Sequence, residues 1–267
     1  MDFTIKKYQK LIESVLNSDH QIITKEEYFN APQKFNKFII LRHDVDERPI
    51  NALKMAEVEA GFGVKATYYF RIVKISNNPD IIKKIANLGH EIGYHYEDLA
   101  ITKGNVTKAL HNFSENLSYF RSFYPVSTIC MHGSSMSKYD NRDMWKEKPL
   151  EEFNIIGEPY INIDYTNILY VTDTARRWDG SRFSIRDFVK SKIKHNFQTT
   201  NDIVDAIDSN SIPDKMIIQS HTLWTDNKIE WVWLEFREKT RGYLKLIAIK
   251  LPFLRNMIYF VTKLYSR

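Results

Sequence analysis

The sequence predicts an α/β fold, a parallel sheet with helices outside it that closes toward a β/α barrel. Short apolar runs alternate with amphipathic helical patterns along most of the 267 residues, as βα units require. The apolar runs are nearly continuous rather than alternating, which is how a strand buried on both faces of a parallel sheet reads. Polar residues cluster where these runs end: Asp44 and Asp46, His95 and Glu97, His132, Asp173, and His221. From Asp44 the steps are 51, 37, 41 and 48 residues, about one βα unit each. In a β/α barrel the C-terminal strand ends meet at one mouth. Five distant segments are therefore expected to bring imidazoles and carboxylates to one point.

The elements follow in order. Residues 4–17 read as a helix and 38–46 (FIILRHDVD) as a buried strand. Residues 50–61 form an amphipathic pattern ended by Gly61, with Gly63 after it. A strand follows at 64–72, then a helix at 78–89, opened by Asn78 before Pro79 and closed by Gly89. Residues 90–97 are a strand, and Val106, Leu110, Phe113, Leu117 and Phe120 mark one face of a long helix. Strands at 126–133 and 168–174, a capped helix at 199–209 and a last strand at 215–222 complete the pattern. The polar stretch 134–165 is expected to loop over the mouth. This divides the chain into a helical lead-in (1–35), a barrel (36–238) and a tail (239–267).

Composition excludes several classes. With 43% hydrophobic and 13% aromatic residues, the chain has a core and is neither disordered nor low-complexity. Cys130 is its only cysteine. That rules out a disulfide scaffold and a thiolate zinc site, so a metal is expected on His, Asp or Glu. No signal-peptide pattern and no run of about 18 apolar residues is present, and a reducing cytoplasmic setting is expected.

The net charge is +5, but its distribution argues against nucleic acid. Lys239, Arg241, Lys245, Lys250, Arg255, Lys263 and Arg267 are seven cations in a stretch without an acidic residue. Removing them leaves the first 238 residues at −2, with no basic stripe for a nucleic acid. The tail is also rich in apolar residues and is split by Pro252 into two short helical patterns. It reads either as a peripheral contact with anionic lipid, at the inner face of the membrane, or as a final helix packed on the body.

Asp44 and Asp46 stand at i and i+2, so an extended strand points both the same way. One would bind a metal while the other takes a proton. A cysteine-free N/O donor set suits zinc or another divalent first-row metal, which makes a nucleophile of water near neutral pH. His221 opposite would protonate the leaving group, and the set would hydrolyse an amide or ester. His20, His111 and His195 read as surface or helper residues.

The runs ILRHDVDERPINALKMAEVEAGFGVKATYYFRI, LGHEIGYHYEDL and IIQSHTLW resemble the polysaccharide deacetylase family, carbohydrate esterase family 4 with the NodB homology domain. The resemblance is greatest to a divergent branch associated with surface-polysaccharide biosynthesis, and it covers roughly residues 36–225. It implies a distorted (β/α)7 barrel, related to the TIM barrel, that removes N- or O-acetyl groups from sugars with a divalent metal, zinc above all. The substrate it implies is an acetylated sugar or saccharide precursor, nucleotide-linked or lipid-linked.

By the same resemblance, His43-Asp44-Val45-Asp46 fills the motif of paired aspartates, Asp44 as base and Asp46 as ligand, or the reverse. His95 matches the first histidine of the His-x-x-x-His motif, but Leu99 stands where the second belongs. The third ligand is then His132 or Glu97, with His132 the closer substitute. Met131-His132-Gly133-Ser134 lacks the arginine that orients the base, leaving Arg42, Arg176 or Arg177 for that role. Asp173 would orient His221 as the acid. Trp178 and Arg177 would bind the sugar, unless Trp178 is a core residue. Tyr94 and Tyr96 are placed along the pocket, and His43 and His90 in supporting positions.

Three other readings stay open. Asp44-Val45-Asp46 is also a D-x-D, the pattern by which glycosyltransferases hold a metal and a nucleotide diphosphate. A decayed barrel would leave a catalytically inactive binding protein. The third is an amidohydrolase acting on a small non-sugar amide.

Overall fold

In a computed structural model, residues 1–134, 137–179, 186 and 189–250 are described, the last three by backbone alone. The chain opens with α1 (Ile5–Asn17), capped by Thr4, whose hydroxyl accepts from the Lys7 amide. Its stripe Tyr8, Leu11, Ile12 and Val15 is buried, as a helical period facing a core requires. Next come β1 (Gln21–Ile23) and α2 (Lys25–Asn30), which is opened by a Thr24/Glu27 capping box.

Strand β2 (Phe38–Val45) leads to α3 (Pro49–Gly61), with proline in its first turn. Strand β3 (Thr67–Phe70) leads to α4 (Pro79–Asn87), capped by Asn78. Strand β4 (Glu91–Tyr96) is followed by short α5 (Asp98–Ile101) and by α6 (Val106–Arg121), which buries Ala109, Phe113, Leu117 and Phe120. Then come β5 (Ile129–Met131), α7 (Pro159–Asn162), β6 (Leu169–Thr172), α8 (Thr200–Asp208), β7 (Lys215–His221) and α9 (Lys228–Lys250).

All strand pairs are parallel, in the order β5-β4-β3-β2-β7-β6. β1 pairs with residues 38–40 of β2, while β3 takes 42–45 of the same edge. The sheet curls into a half-barrel with helices around it and β5 and β6 at its edges. This is the distorted β/α barrel that the sequence predicts. The short β1 is the one strand the sequence pattern does not announce.

Side chains alternate across each strand. On β2, Ile39 and Leu41 join the main core under the outer helices, while Phe38 and Ile40 join a smaller cluster inside the sheet with Ile217 and Ile23. The inward column of β2 therefore continues through Arg42 and Asp44 to Asp46. Its counterparts are Tyr69 and Arg71, then Glu91, Gly93, His95 and Glu97, then Cys130 and His132, and finally Gln219 and His221. Because the strands are parallel, every column ends at the same rim. Strand register places Asp44 beside His221 and His95 beside Cys130.

Candidate metal and hydrolytic site

The rim encloses a cavity of about 460 Å³. Asp44, Asp46, His95, Glu97, His132, Asp173 and His221 all line it. Thus the five strand ends that the sequence singled out do meet.

Asp46 sits at the centre. Its Oδ1 lies 3.5 Å from His95 Nε2 and 3.6 Å from His132 Nε2, and its Oδ2 lies 3.9 Å from His221 Nε2. That Oδ1 is buried and accepts no hydrogen bond among the described residues. A buried carboxylate oxygen without a donor is costly unless a cation meets it. Ligand atoms around one tetrahedral zinc lie roughly 3.4 Å apart, so the two Asp46–histidine separations fit a shared cation. Burial pushes the Asp46 carboxyl up, but His132, Arg71 and His95 outweigh it and hold the group well below its usual range.

The ring orientations agree with such a site. His95 Nδ1 donates to the Cys130 carbonyl at 2.9 Å, which turns Nε2 toward the aspartates. Burial lowers the His95 pKa and favours the neutral ring that a metal needs. His132 Nδ1 donates to Glu97 Oε2 at 2.8 Å, again turning Nε2 inward. Glu97 Oε1 in turn accepts from Arg71 Nε and Nη2 at 2.9 and 2.6 Å. Burial would raise the Glu97 pKa, but His132 and Arg71 bring it down to about 2. With one oxygen on His132 and the other on Arg71, Glu97 supports a histidine rather than competing with it for a cation.

Asp44 is held differently. Arg42 Nε and Nη2 grip its two oxygens at 2.9 and 2.6 Å, and Gln219 Nε2 donates to Oδ2 at 3.1 Å. Burial opposes ionisation here, yet the Arg42 and His95 charges keep the carboxyl below its ordinary value. Of the three candidate arginines, Arg42 is the one that reaches the base. It lies two residues before Asp44 on the same strand face. Arg176 is buried, with its guanidinium on the Leu223 carbonyl and on Glu235. Arg177 is paired with Asp179 at 2.7 and 2.9 Å and does not line the cavity.

His221 faces the same space. Its Nδ1 donates to Asp173 Oδ1 at 2.7 Å, and its backbone amide donates to the same oxygen at 2.8 Å. Burial would lower the imidazole pKa, but the Asp173 hydrogen bond and charge raise it to about 10. A protonated His221 Nε2 is thus presented to the cavity.

Three sequence expectations are corrected. Trp178 is 1% exposed, donates from Nε1 to Thr200 Oγ1 and lies against Phe3 and Trp224. A core residue placed there offers no face to a sugar. Tyr94 and Tyr96 are fully buried because strand alternation turns them to the helix layer while His95 and Glu97 turn inward. Cys130, set aside as a ligand, lies close to the site: Asp44, His95 and Cys130 each offer one ligand atom, all within 4.8 Å of one another. A cation held there would meet the Arg42 guanidinium already on Asp44, which makes the Asp46 position the better one.

His43 and His90 are supports, as expected. His43 Nε2 donates to Glu59 at 2.7 Å, and His90 Nε2 donates to the Ala56 carbonyl at 3.0 Å. Arg71 and Gln219 were missed. Both end or nearly end a strand on the inward face, which was the signal available.

No protein-family model matches the sequence, and no curated protein does. Among solved structures, the fold is similar to that of CE4 proteins. A CE4 family pseudoenzyme from Bacillus anthracis is 16% identical over 78% of this chain and 62% of its own, with a TM-score of 0.45. A mutant of that pseudoenzyme with restored enzymatic activity is 14% identical over 78% and 64%, with a TM-score of 0.45. A Streptococcus mutans CE4 esterase is 14% identical over 82% and 86%, with a TM-score of 0.43. The chain spans less than two thirds of the length of the pseudoenzyme chains. The activities named belong to those proteins.

Proposed function

We propose that the chain is a metal-dependent hydrolase that removes an acyl group, acetyl by preference, from an amide or ester on a sugar or saccharide precursor. The observation that carries this is Asp46, its donor-free oxygen set between His95 and His132, with the His221–Asp173 pair across the cavity. Asp46, His95 and His132 would hold the metal, for which zinc suits the donor set best. When bound, the metal supplies positive charge that polarises an acyl carbonyl and makes water more acidic.

The remaining steps belong to the chain's own residues. Asp44 accepts three hydrogen bonds, so one of about four carboxylate lone-pair sites stays open to take a proton from attacking water. Arg42 keeps that carboxylate ionised and fixes its direction. His221 Nε2 gives its proton to the nitrogen or oxygen leaving the acyl carbon, and Asp173 holds the ring in place throughout. The products are a free acid and a sugar amine or alcohol. The D-x-D reading gains less support, since Asp44 is engaged by Arg42 and Gln219. A precursor of a surface polysaccharide is the setting that the motif resemblance suggests.

The test is metal content by elemental analysis, beside Asp46→Ala and His132→Ala variants. About one divalent ion per chain, lost in both variants, is the expected result. Acetate release from acetylated sugar nucleotides should then fall by about 10²–10⁴-fold in His221→Ala. A folded chain that holds no metal and takes up no added zinc overturns the reading and leaves a binding protein on a barrel.

A further inference from the structure

Helix α9 presents its apolar side outward. Ile229, Val232, Trp233, Phe236 and Ile247 follow a 3.6-residue period along one face and are 85, 62, 42, 64 and 42% exposed. The opposite face packs on the body through buried Leu234 and through charges: Arg237 donates to Glu47, and Glu235 accepts from Arg176. A helix that ends in water shows the reverse arrangement, and a continuous exposed apolar stripe marks a contact surface.

We propose that this stripe docks α9 flat on an anionic lipid bilayer. Charge selects this occupant. Lys228 and Lys239, eleven residues or about three turns apart, are exposed at the border of the stripe. From Lys239 to the end of the chain, seven cations stand without one acidic residue. Across a two-fold interface built on this stripe the bordering lysines would face their own kind, whereas anionic headgroups neutralise them. Trp233 also suits an interfacial position, its ring packed under Arg48 at 5.0 Å and Arg237 at 4.4 Å. An apolar face carrying Trp and Phe beside lysines is the composition of helices that lie in a membrane surface. Arg241 and Lys245, on the inner side of the same helix, line the cavity, so docking brings the mouth beside the headgroups.

The test is co-sedimentation of the full chain with vesicles of phosphatidylcholine alone and of phosphatidylcholine with phosphatidylglycerol. Binding is expected for the anionic vesicles, weakening with added salt. It should drop about tenfold or more in Ile229→Ser/Val232→Ser/Phe236→Ser. These side chains are exposed, so thermal unfolding should be unchanged. A second measurement needs no destabilising change: brominated lipid should quench tryptophan emission in the parent chain and much less in Trp233→Phe. Equal sedimentation of parent and triple variant, or no sedimentation with anionic vesicles, overturns the proposal. So does a concentration-dependent dimer abolished by the same triple substitution, which would assign the stripe to a second copy.

Discussion

Glu97 and His132 show how closely ligand and support lie together at the scale of single residues. Both line the cavity, and they are bonded to each other. Removing a ligand and removing its support should differ in size. Glu97→Ala leaves three donors in place but frees the His132 ring, and a lost outer partner costs typically 10–100-fold in metal affinity. Glu97→Ala is therefore expected to weaken zinc binding by about that factor in competition titrations, while His132→Ala nearly abolishes it. Equal losses would make Glu97 a ligand. The sequence already held both candidates, since period-two alternation turns His95 and Glu97 to the same side. It did not hold their division of labour, which depends on Arg71 arriving from β3 to occupy one Glu97 oxygen. Arg42 was likewise one of three arginines until its place two residues before Asp44 was set on an inward face. Trp178 was legible as an aromatic residue after a strand, but its burial against Phe3 and Trp224 comes from the N-terminal segment folding over it.

Among the elements, β4 is the most constrained. Its inward column needs a residue without a side chain between Glu91 and His95. A Cβ added at Gly93 would come within 2.3 Å of the Tyr69 ring and 3.0 Å of the Thr128 carbonyl. Tyr69 is fully buried and its hydroxyl bonds to Thr128 at 3.2 Å, so the ring has nowhere to swing. Gly93→Ala is expected to cost about 1–3 kcal/mol, the ordinary range for overpacking, read as a lower denaturant midpoint. An unchanged midpoint would show that the barrel interior yields there. Most elements were legible because their signals are local: Asn78-Pro79 opening α4, the Thr199/Asp202 box opening α8, and the apolar run of β2. β1 was not, because three residues carry no period and its pairing with residues 38–40 is a tertiary fact. α9 runs unbroken through residues 238 and 239, where the sequence shows a sharp change of charge. Charge alters what a helix meets, not whether it continues. The second helical pattern expected after Pro252 lies outside the described residues.

For the molecule as a whole, the layer of the half-barrel interior directly below the site carries polar residues, Lys25 among them. The residue is fully buried, and its Nζ has no hydrogen-bond partner among the described residues. Burial first, then the nearby Arg42 charge, lowers its pKa to about 7, against the pull of Cys130, Glu91 and Asp44. A depressed pKa in the folded state means that the unfolded chain binds the extra proton between pH 7 and the ordinary lysine value near 10.4. Stability from this group is full above that ordinary value and declines as pH falls toward 7, so folding should strengthen with rising pH across the window. One proton difference corresponds to about 1.4 kcal/mol per pH unit at most. Lys25→Met keeps the volume and removes the proton. Other titrating groups are common to both chains, so they cancel in the comparison. The variant's stability advantage should therefore be greatest near pH 7 and shrink by up to about 1.4 kcal/mol per unit toward pH 9. Urea unfolding of both chains at matched pH measures it. A constant difference from pH 7 to 9 would mean that Lys25 keeps an ordinary pKa through contacts with water inside the barrel, and that the floor of the cavity is wet.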